Sequence, residues 1–210
     1  MVLHLAPSPE ANALLERDPL ALLLGMVLDQ QIPMEKAFAG PAVLAERLGL
    51  GPGVVLDAAA IADFPPEEFA ALFAQPPAIH RFPGSMAGRV QQVCRAVVER
   101  YDGDVTRLWR EAADGTDLRR RVEALPGFGA QKAKIFVALL GKQREVTPPG
   151  WREAAGEYGE DGARRSVADV VDAATLAEVR AYKQSVKAAA KARAPGGQDT
   201  STPRRSRRTT

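Results

Sequence analysis

Apolar residues along this chain recur at three- and four-residue spacing almost from end to end, the period of a helix with one buried face. The stretch "DPLALLLGMVLDQQ" predicts a helix with Asp18 as N-cap and Pro19 at its first position, followed by a run apolar on all sides. "PMEKAFAGPAVLAERLG" predicts a second, opening at Pro33, closed by Gly49, and open to a kink at Pro41. A proline-rich, aromatic-spotted connection over 63–84 leaves room for one short helix at most. "SMAGRVQQVCRAVVERYDG" is amphipathic, with Ser85 as the expected cap and Gly103 as the stop. Helices are also expected in "TDLRRRVEAL", "AQKAKIFVALLGKQ", "GWREAAGEYG" and "TLAEVRAYKQSVKAAAKARA". No stretch alternates with period two between hairpin turns, and no repeat recurs at solenoid spacing. The expected fold class is all-α.

Composition narrows this picture. At 210 residues and 46% hydrophobic, the chain can bury one core, divided at most into two lobes. Its most apolar stretch, "LALLLGMVL", is about half the length of a membrane span, so a soluble, cytoplasmic protein without membrane partner is expected. The single cysteine, Cys94, excludes an internal disulfide and a four-cysteine iron–sulfur cluster, and its helical spacing from Val90, Val93 and Val97 reads as a buried thiol. With only His4 and His80, far apart, no zinc site and no metal cofactor are expected.

The net charge of +2 conceals an asymmetry. Eight Lys/Arg against Asp199 alone lie beyond residue 182, which leaves 20 basic and 25 acidic side chains before it, a net −5. The organisation expected is therefore a helical domain over 1–182 and a basic segment over 183–210, disordered from about Pro195. That tail is either a non-specific polyanion contact or a solvated extension. Any nucleic-acid contact by the body must come from a local patch or from backbone amides.

Candidate chemistry centres on "VEALPGFGAQKAKIFVALLG". Pro126 ends one helix, Gly127 and Gly129 permit a tight turn, and a second helix begins at once with its first amides unsatisfied. Such a helix start attracts an anion, two side-chain-free residues let a phosphate come close, and Lys132 and Lys134 add charge. The plainer reading is an interhelical turn with two convenient glycines.

This Leu-Pro-Gly-x-Gly pattern resembles the hairpin of the helix–hairpin–helix (HhH-GPD) base-excision DNA glycosylase superfamily. The segment "ALLLGMVLDQQIPMEKAFAGPAVLAERLG", roughly ninety to one hundred residues upstream, is similar to the N-terminal segment of its alkyladenine-type branch. The resemblance implies a two-lobed helical fold, duplex DNA containing a modified base as partner, and a monomer, nucleoid-associated if bacterial. It places Gly127, Phe128, Gly129, Gln131, Lys132 and Lys134 at the DNA backbone. It puts Gln31 at the wedge that fills the hole left by a flipped base, with Gln30 turned inward. Both glutamines could equally be bonding carbonyls at a helix end.

The implied reaction is hydrolysis of an N-glycosidic bond through an oxocarbenium-like transition state, which a carboxylate stabilises. Members that also cleave the strand use a lysine two residues after the second glycine. Gln131 stands there, so lyase chemistry is not expected. The family's aspartate follows about eighteen to twenty residues later, which here reaches Pro149 to Trp151 and finds no acid. Glu153 is the nearest replacement, or else an ordinary first-turn glutamate; Glu157, Asp161 and Glu145 are weaker candidates. Trp151 could stack on an extruded base or plug the core. His80 and Arg81 could supply an acid/base and a phosphate contact, although a loop histidine is more often exposed.

Three functions follow: a monofunctional DNA glycosylase, a catalytically silent lesion-binding protein of the same fold, and a helical protein-interaction module.

Overall fold

The structure is a computed structural model that describes residues 3–193, with side chains to residue 189. It contains eleven α-helices among the described residues: α1 (Pro9–Arg17), α2 (Pro19–Leu28), α3 (Met34–Arg47), α4 (Ala58–Asp63), α5 (Pro66–Ala74), α6 (Pro83–Tyr101), α7 (Arg107–Arg110), α8 (Gly115–Glu123), α9 (Ala130–Gln143), α10 (Trp151–Ala155) and α11 (Ala173–Arg193). The described residues hold no strand, and the chain is all-α as its periodicity predicts. None of these helices is long and apolar enough to cross a membrane.

Helix α2 is the centre of the molecule. All nine residues from Leu20 to Leu28 are buried, which explains a sequence that is apolar on every side. Its start is fixed by Asp18, whose Oδ1 accepts from the Leu20 and Ala21 amides at 2.9 and 3.2 Å. Oδ2 accepts from the Leu56 amide at 2.7 Å, so one carboxylate both caps the helix and anchors the loop before α4. Helix α3 packs closely against α2: a Cβ on Gly25 would lie 2.7 Å from the Phe38 ring, and one on Gly40 would lie 2.5 Å from Leu28. These approaches fix where the α2–α3 turn, residues 29–33, emerges.

Helices α4 and α5 pack on α6, whose inner face is Met86, Ala87, Val90, Val93, Cys94 and Val97. Cys94 is fully buried, and burial pushes its thiol up to about 12. Helices α8, α9 and α10 form the third group. The far end of α9 is tied down by Gln143, whose Nε2 donates to the Val167, Ala168 and Val170 carbonyls, and by Lys142, paired with Asp169 at 2.7 Å. That locks the 3-10 turn Val167–Asp169 that leads into α11.

Several boundaries differ from the expectation. Helix α1 was not visible as a helix in the pattern. It is held by Ser8, which accepts from the Ala11 amide, and by its own proline start. Helix α6 begins at Pro83 with Phe82 as N-cap, so Ser85 lies inside it and caps nothing; a proline suits a first helical position better than a serine suits a cap there. The helix expected over 150–159 is α10 only, because Gly156 leaves helical geometry at φ 58° and a 3-10 turn, Gly156–Tyr158, follows. Helix α3 runs through Pro41 without a break in its assignment. Helix α11 crosses residue 182 without interruption, and the segment from Pro195 lies outside the described residues.

Candidate nucleic-acid interface

The hairpin forms where the glycines and proline predict. Gly127 has φ 81°, a left-handed conformation that a side chain disfavours, and the Phe128 amide closes the turn on the Leu125 carbonyl at 3.1 Å. A Cβ on Gly127 would also lie 2.6 Å from Cδ of Arg89, which rests over the turn. Phe128 points inward: it is 7% exposed, and its ring sits 5.9 Å from that of Phe136. It therefore anchors the hairpin to the core instead of meeting a ligand with its side chain.

Helix α9 opens at Gly129 without a side-chain cap, and the first intrahelical bond runs from the Ala133 amide to the Gly129 carbonyl. The amides of Ala130, Gln131 and Lys132 are thus the unsatisfied donors of a fourteen-residue helix. Gly129, Ala130 and Gln131 are exposed, and nothing lies within 4 Å of where a Cβ on Gly129 would stand. The first turn of α9 is open to an anion along its axis.

The second candidate element, the α2–α3 turn, lies directly beside this helix start. Lys132 reaches across and its Nζ donates to the Val27 carbonyl at 3.1 Å, closing a separation of 105 residues. Arg89 from α6 completes the junction: lying on Gly127, it also donates to Gln30 Oε1 at 3.3 Å. Gln30 is half-buried and its Nε2 donates to the Val27 carbonyl at 2.9 Å, a structural amide turned inward. Gln31 is exposed and holds φ 56°, a conformation costing a non-glycine residue about 1–2 kcal/mol. The turn thus presents one glutamine outward on strained backbone and keeps the other as its brace.

His80 is not on an exposed loop. It is 1% exposed; its Nδ1 accepts from the Phe82 amide at 3.1 Å, and its Nε2–H donates to the Gln30 carbonyl at 2.8 Å. Those bonds fix a neutral tautomer, and burial pulls its pKa below the ordinary value, helped by the positive charges of Lys36, Arg81 and Lys132. Its role in the fold is to hold the loop before α6 against the α2–α3 turn. Phe82, whose amide His80 holds, is 44% exposed, with the Arg81 guanidinium 4.8 Å from its ring.

The cations around the junction, Lys36, Arg81, Arg89 and Lys132, make the local positive patch that an acidic body requires. Burial lowers Lys132 to about 8, with Arg89 acting in the same direction and the nearby Asp29 carboxylate opposing both. Sequence reading singled out neither Arg89 nor Phe82 nor Asp29. Arg89 lies on a helix whose periodicity speaks only of its apolar face, and nothing local links it to Gly127 or Gln30.

On its opposite flank, α9 meets α10 and the turn that follows it. Trp151, 9% exposed, packs its indole where a Cβ on Gly141 would lie 2.3 Å from the ring. Gly156 lies beside Lys134. Helix α10 therefore runs back along α9, with Trp151 at Gly141, about 16 Å along the helix from Ala130. Trp151 fills the core at that point and stands away from the hairpin. Glu153 lies between these two contacts, exposed, with its carboxylate turned toward Gly150. Gln131, where the resemblance would put a lysine, donates through Nε2 to the Tyr158 hydroxyl at 2.9 Å. The group opposite residue 131 is a tyrosine hydroxyl, and Glu157 and Asp161 are engaged at the surface by Arg165 and Arg152.

The glycine hairpin, the uncapped start of α9 and the glutamine turn, drawn together by Lys132 and Arg89, all lie within the part of the chain that one family model matches. The HhH-GPD superfamily of base excision DNA repair proteins matches residues 24–194, from within α2 past the end of α11. The chain belongs to this superfamily. Searches against curated proteins and solved structures give no match. Membership implies a DNA substrate and the all-α fold described above.

Proposed function

We propose that this HhH-GPD protein is a monofunctional DNA N-glycosylase that extrudes a modified base from duplex DNA and hydrolyses its glycosidic bond. The observation that carries the reading is the convergence of the hairpin and the α2–α3 turn on one basic junction. The open amides of α9, with Gly127 and Gly129, suit a backbone phosphate; Lys132 and Lys134 add positive charge near it. Gln31, exposed on strained backbone, suits the space vacated by the extruded nucleotide, and the exposed Phe82, bonded to the His80 that braces the turn, suits a base face.

The monofunctional part rests on two side chains. Gln131 has no amine, and the Lys132 amine turns away from residue 131's partner toward the end of α2. Glu153 is the acid that spacing nominates. Reductive trapping with cyanoborohydride on abasic duplex should give no covalent protein–DNA adduct. An adduct that disappears in Lys132→Gln would overturn the monofunctional reading.

A second reading, lesion binding without excision, is favoured by one observation. By the resemblance the family's aspartate would fall at Pro149 to Trp151, where the sequence carries no acid, and the hydrogen-bond partner of the Gln131 side chain among the described residues is the Tyr158 hydroxyl, not a carboxylate. One experiment separates the two. The protein is incubated with duplexes carrying alkylated, deaminated or oxidised bases, and both released base and alkali-labile sites are measured. Release by the wild type that is lost in Glu153→Gln supports the enzyme with that acid. Tight binding of a lesion duplex with no release supports the silent reading, and failure to bind any duplex overturns both.

A further inference from the structure

Helix α11 leaves the body over the α2–α3 turn, and its position there is built. Leu176 and Val179 pack onto the core. Arg180 pairs with Glu35 in the first turn of α3, and Arg164 pairs with Glu178 at 2.7 Å. Between α11 and the turn lies a groove of about 380 Å³, lined by Asp29, Ile32, Pro33, Val179, Arg180 and Lys183 among others. Beyond Glu178 the helix carries no acidic residue. Arg180, Lys183 and Lys187 fall within about 60° of arc at 100° per residue. Lys183 and Lys187 are exposed and make no ion pair among the described residues.

We infer that α11 is a second DNA-backbone contact: its Lys183–Lys187 stripe holds the phosphates of the duplex flanking the nucleotide at Gln31. The inference rests on the DNA reading above and adds to it a surface separate from the hairpin. Charge complementarity decides the occupant. Arg180 of α11 neutralises Glu35, and Asp29 lies within the field of Lys132, so the carboxylates of the groove are already compensated without Lys183 and Lys187. The two lysines then remain as uncompensated positive charge on a helix that overhangs the exposed Gln31 turn. Backbone phosphates spaced along a duplex match a stripe of cations one helical turn apart, whereas an apolar or cationic partner would leave the lysines unpaired.

The test uses the full chain and a duplex without a lesion, with affinity measured across a series of salt concentrations. Lys183→Gln with Lys187→Gln should bind roughly tenfold more weakly at low salt, and the slope of log affinity against log salt should flatten by about two. Arg17→Glu makes the same change in net charge at the far end of α3, where Arg17 and Glu46 line another groove. It should leave the slope unchanged. An unaltered slope in the double variant, with wild-type binding intact, overturns the α11 contact and leaves the hairpin reading standing. Equal losses in the double variant and Arg17→Glu would reduce the effect to net charge and also overturn it. If the wild type binds no duplex, the DNA reading and this contact fall together.

Discussion

Two buried side chains illustrate how single residues hold the candidate interface in place. Asp18 caps α2 and satisfies the buried Leu56 amide with the same carboxylate, although burial pulls its pKa above the ordinary value. Asp18→Ala removes a cap worth about 1 kcal/mol and strands an amide at a further cost of about 1–3 kcal/mol. Denaturant unfolding should show a loss of that combined order. Asp18→Asn, which keeps an acceptor for one side only, should fall between. His80 sets a pH dependence. Its folded pKa lies below its unfolded value, so the neutral ring's contribution to stability is complete above the unfolded pKa, about 6.5, and is lost as pH falls through the lower folded value. Melting temperature should therefore drop on the acid side of pH 6.5, and His80→Asn, in which an amide oxygen can take the Phe82 amide, should show a shallower drop. Equal acid-side slopes in the two proteins would remove His80 as the cause.

At the scale of elements, the hairpin was the most legible part of the molecule, and the reason is local. Proline ends a helix, a left-handed residue needs glycine, and an uncapped helix start leaves donors open, all within five neighbouring residues. The same holds for Asp18–Pro19 and for the apolar face of α6. What the sequence hid depends on residues far apart. Arg89 joins Gly127 to Gln30 across three elements, and His80 is buried because the α2–α3 turn closes over a loop that locally reads as polar. Trp151 was ambiguous for the same reason: its partner, Gly141, sits on the preceding helix. The two hairpin glycines now separate into different roles. Gly127 needs its left-handed backbone and lies under Arg89, so a side chain there disturbs the fold and the site together. Gly129 has φ −97° and open space around it. Gly129→Ala should therefore cost less than about 1 kcal/mol in stability, the difference expected between glycine and alanine as N-cap. Its methyl group stands where a phosphate would approach the α9 amides, so duplex affinity should fall while the melting temperature holds. Unchanged affinity in a folded Gly129→Ala variant would make the hairpin an interhelical turn and nothing more.

Across the whole molecule, the distribution of charge determines how such a protein can meet DNA. The first 182 residues are net acidic, so attraction of a duplex depends on local clusters such as Lys36, Arg81, Arg89 and Lys132, which reverse the sign there, and on the lysines of α11 beyond them. On the proposed DNA reading, placing the cations at the junction of hairpin and turn makes attraction and register the same interaction, since a phosphate drawn to the patch also meets the α9 amides. The segment beyond Arg193 adds four arginines against one aspartate and could supply attraction without register. The two contributions respond differently to truncation. Deleting 195–210 should flatten the salt dependence of duplex affinity by up to about four phosphate equivalents. If lesion preference arises at Gln31 and its surroundings, as proposed, the truncation should leave the preference for a lesion duplex over an undamaged one unchanged. Gln31→Ala should do the reverse: the salt slope stays, and lesion preference falls about tenfold to a hundredfold, the equivalent of losing one stacking contact. If the truncation and Gln31→Ala alter the same quantity, attraction and recognition are not divided between tail and turn, and the tail must reach the site itself.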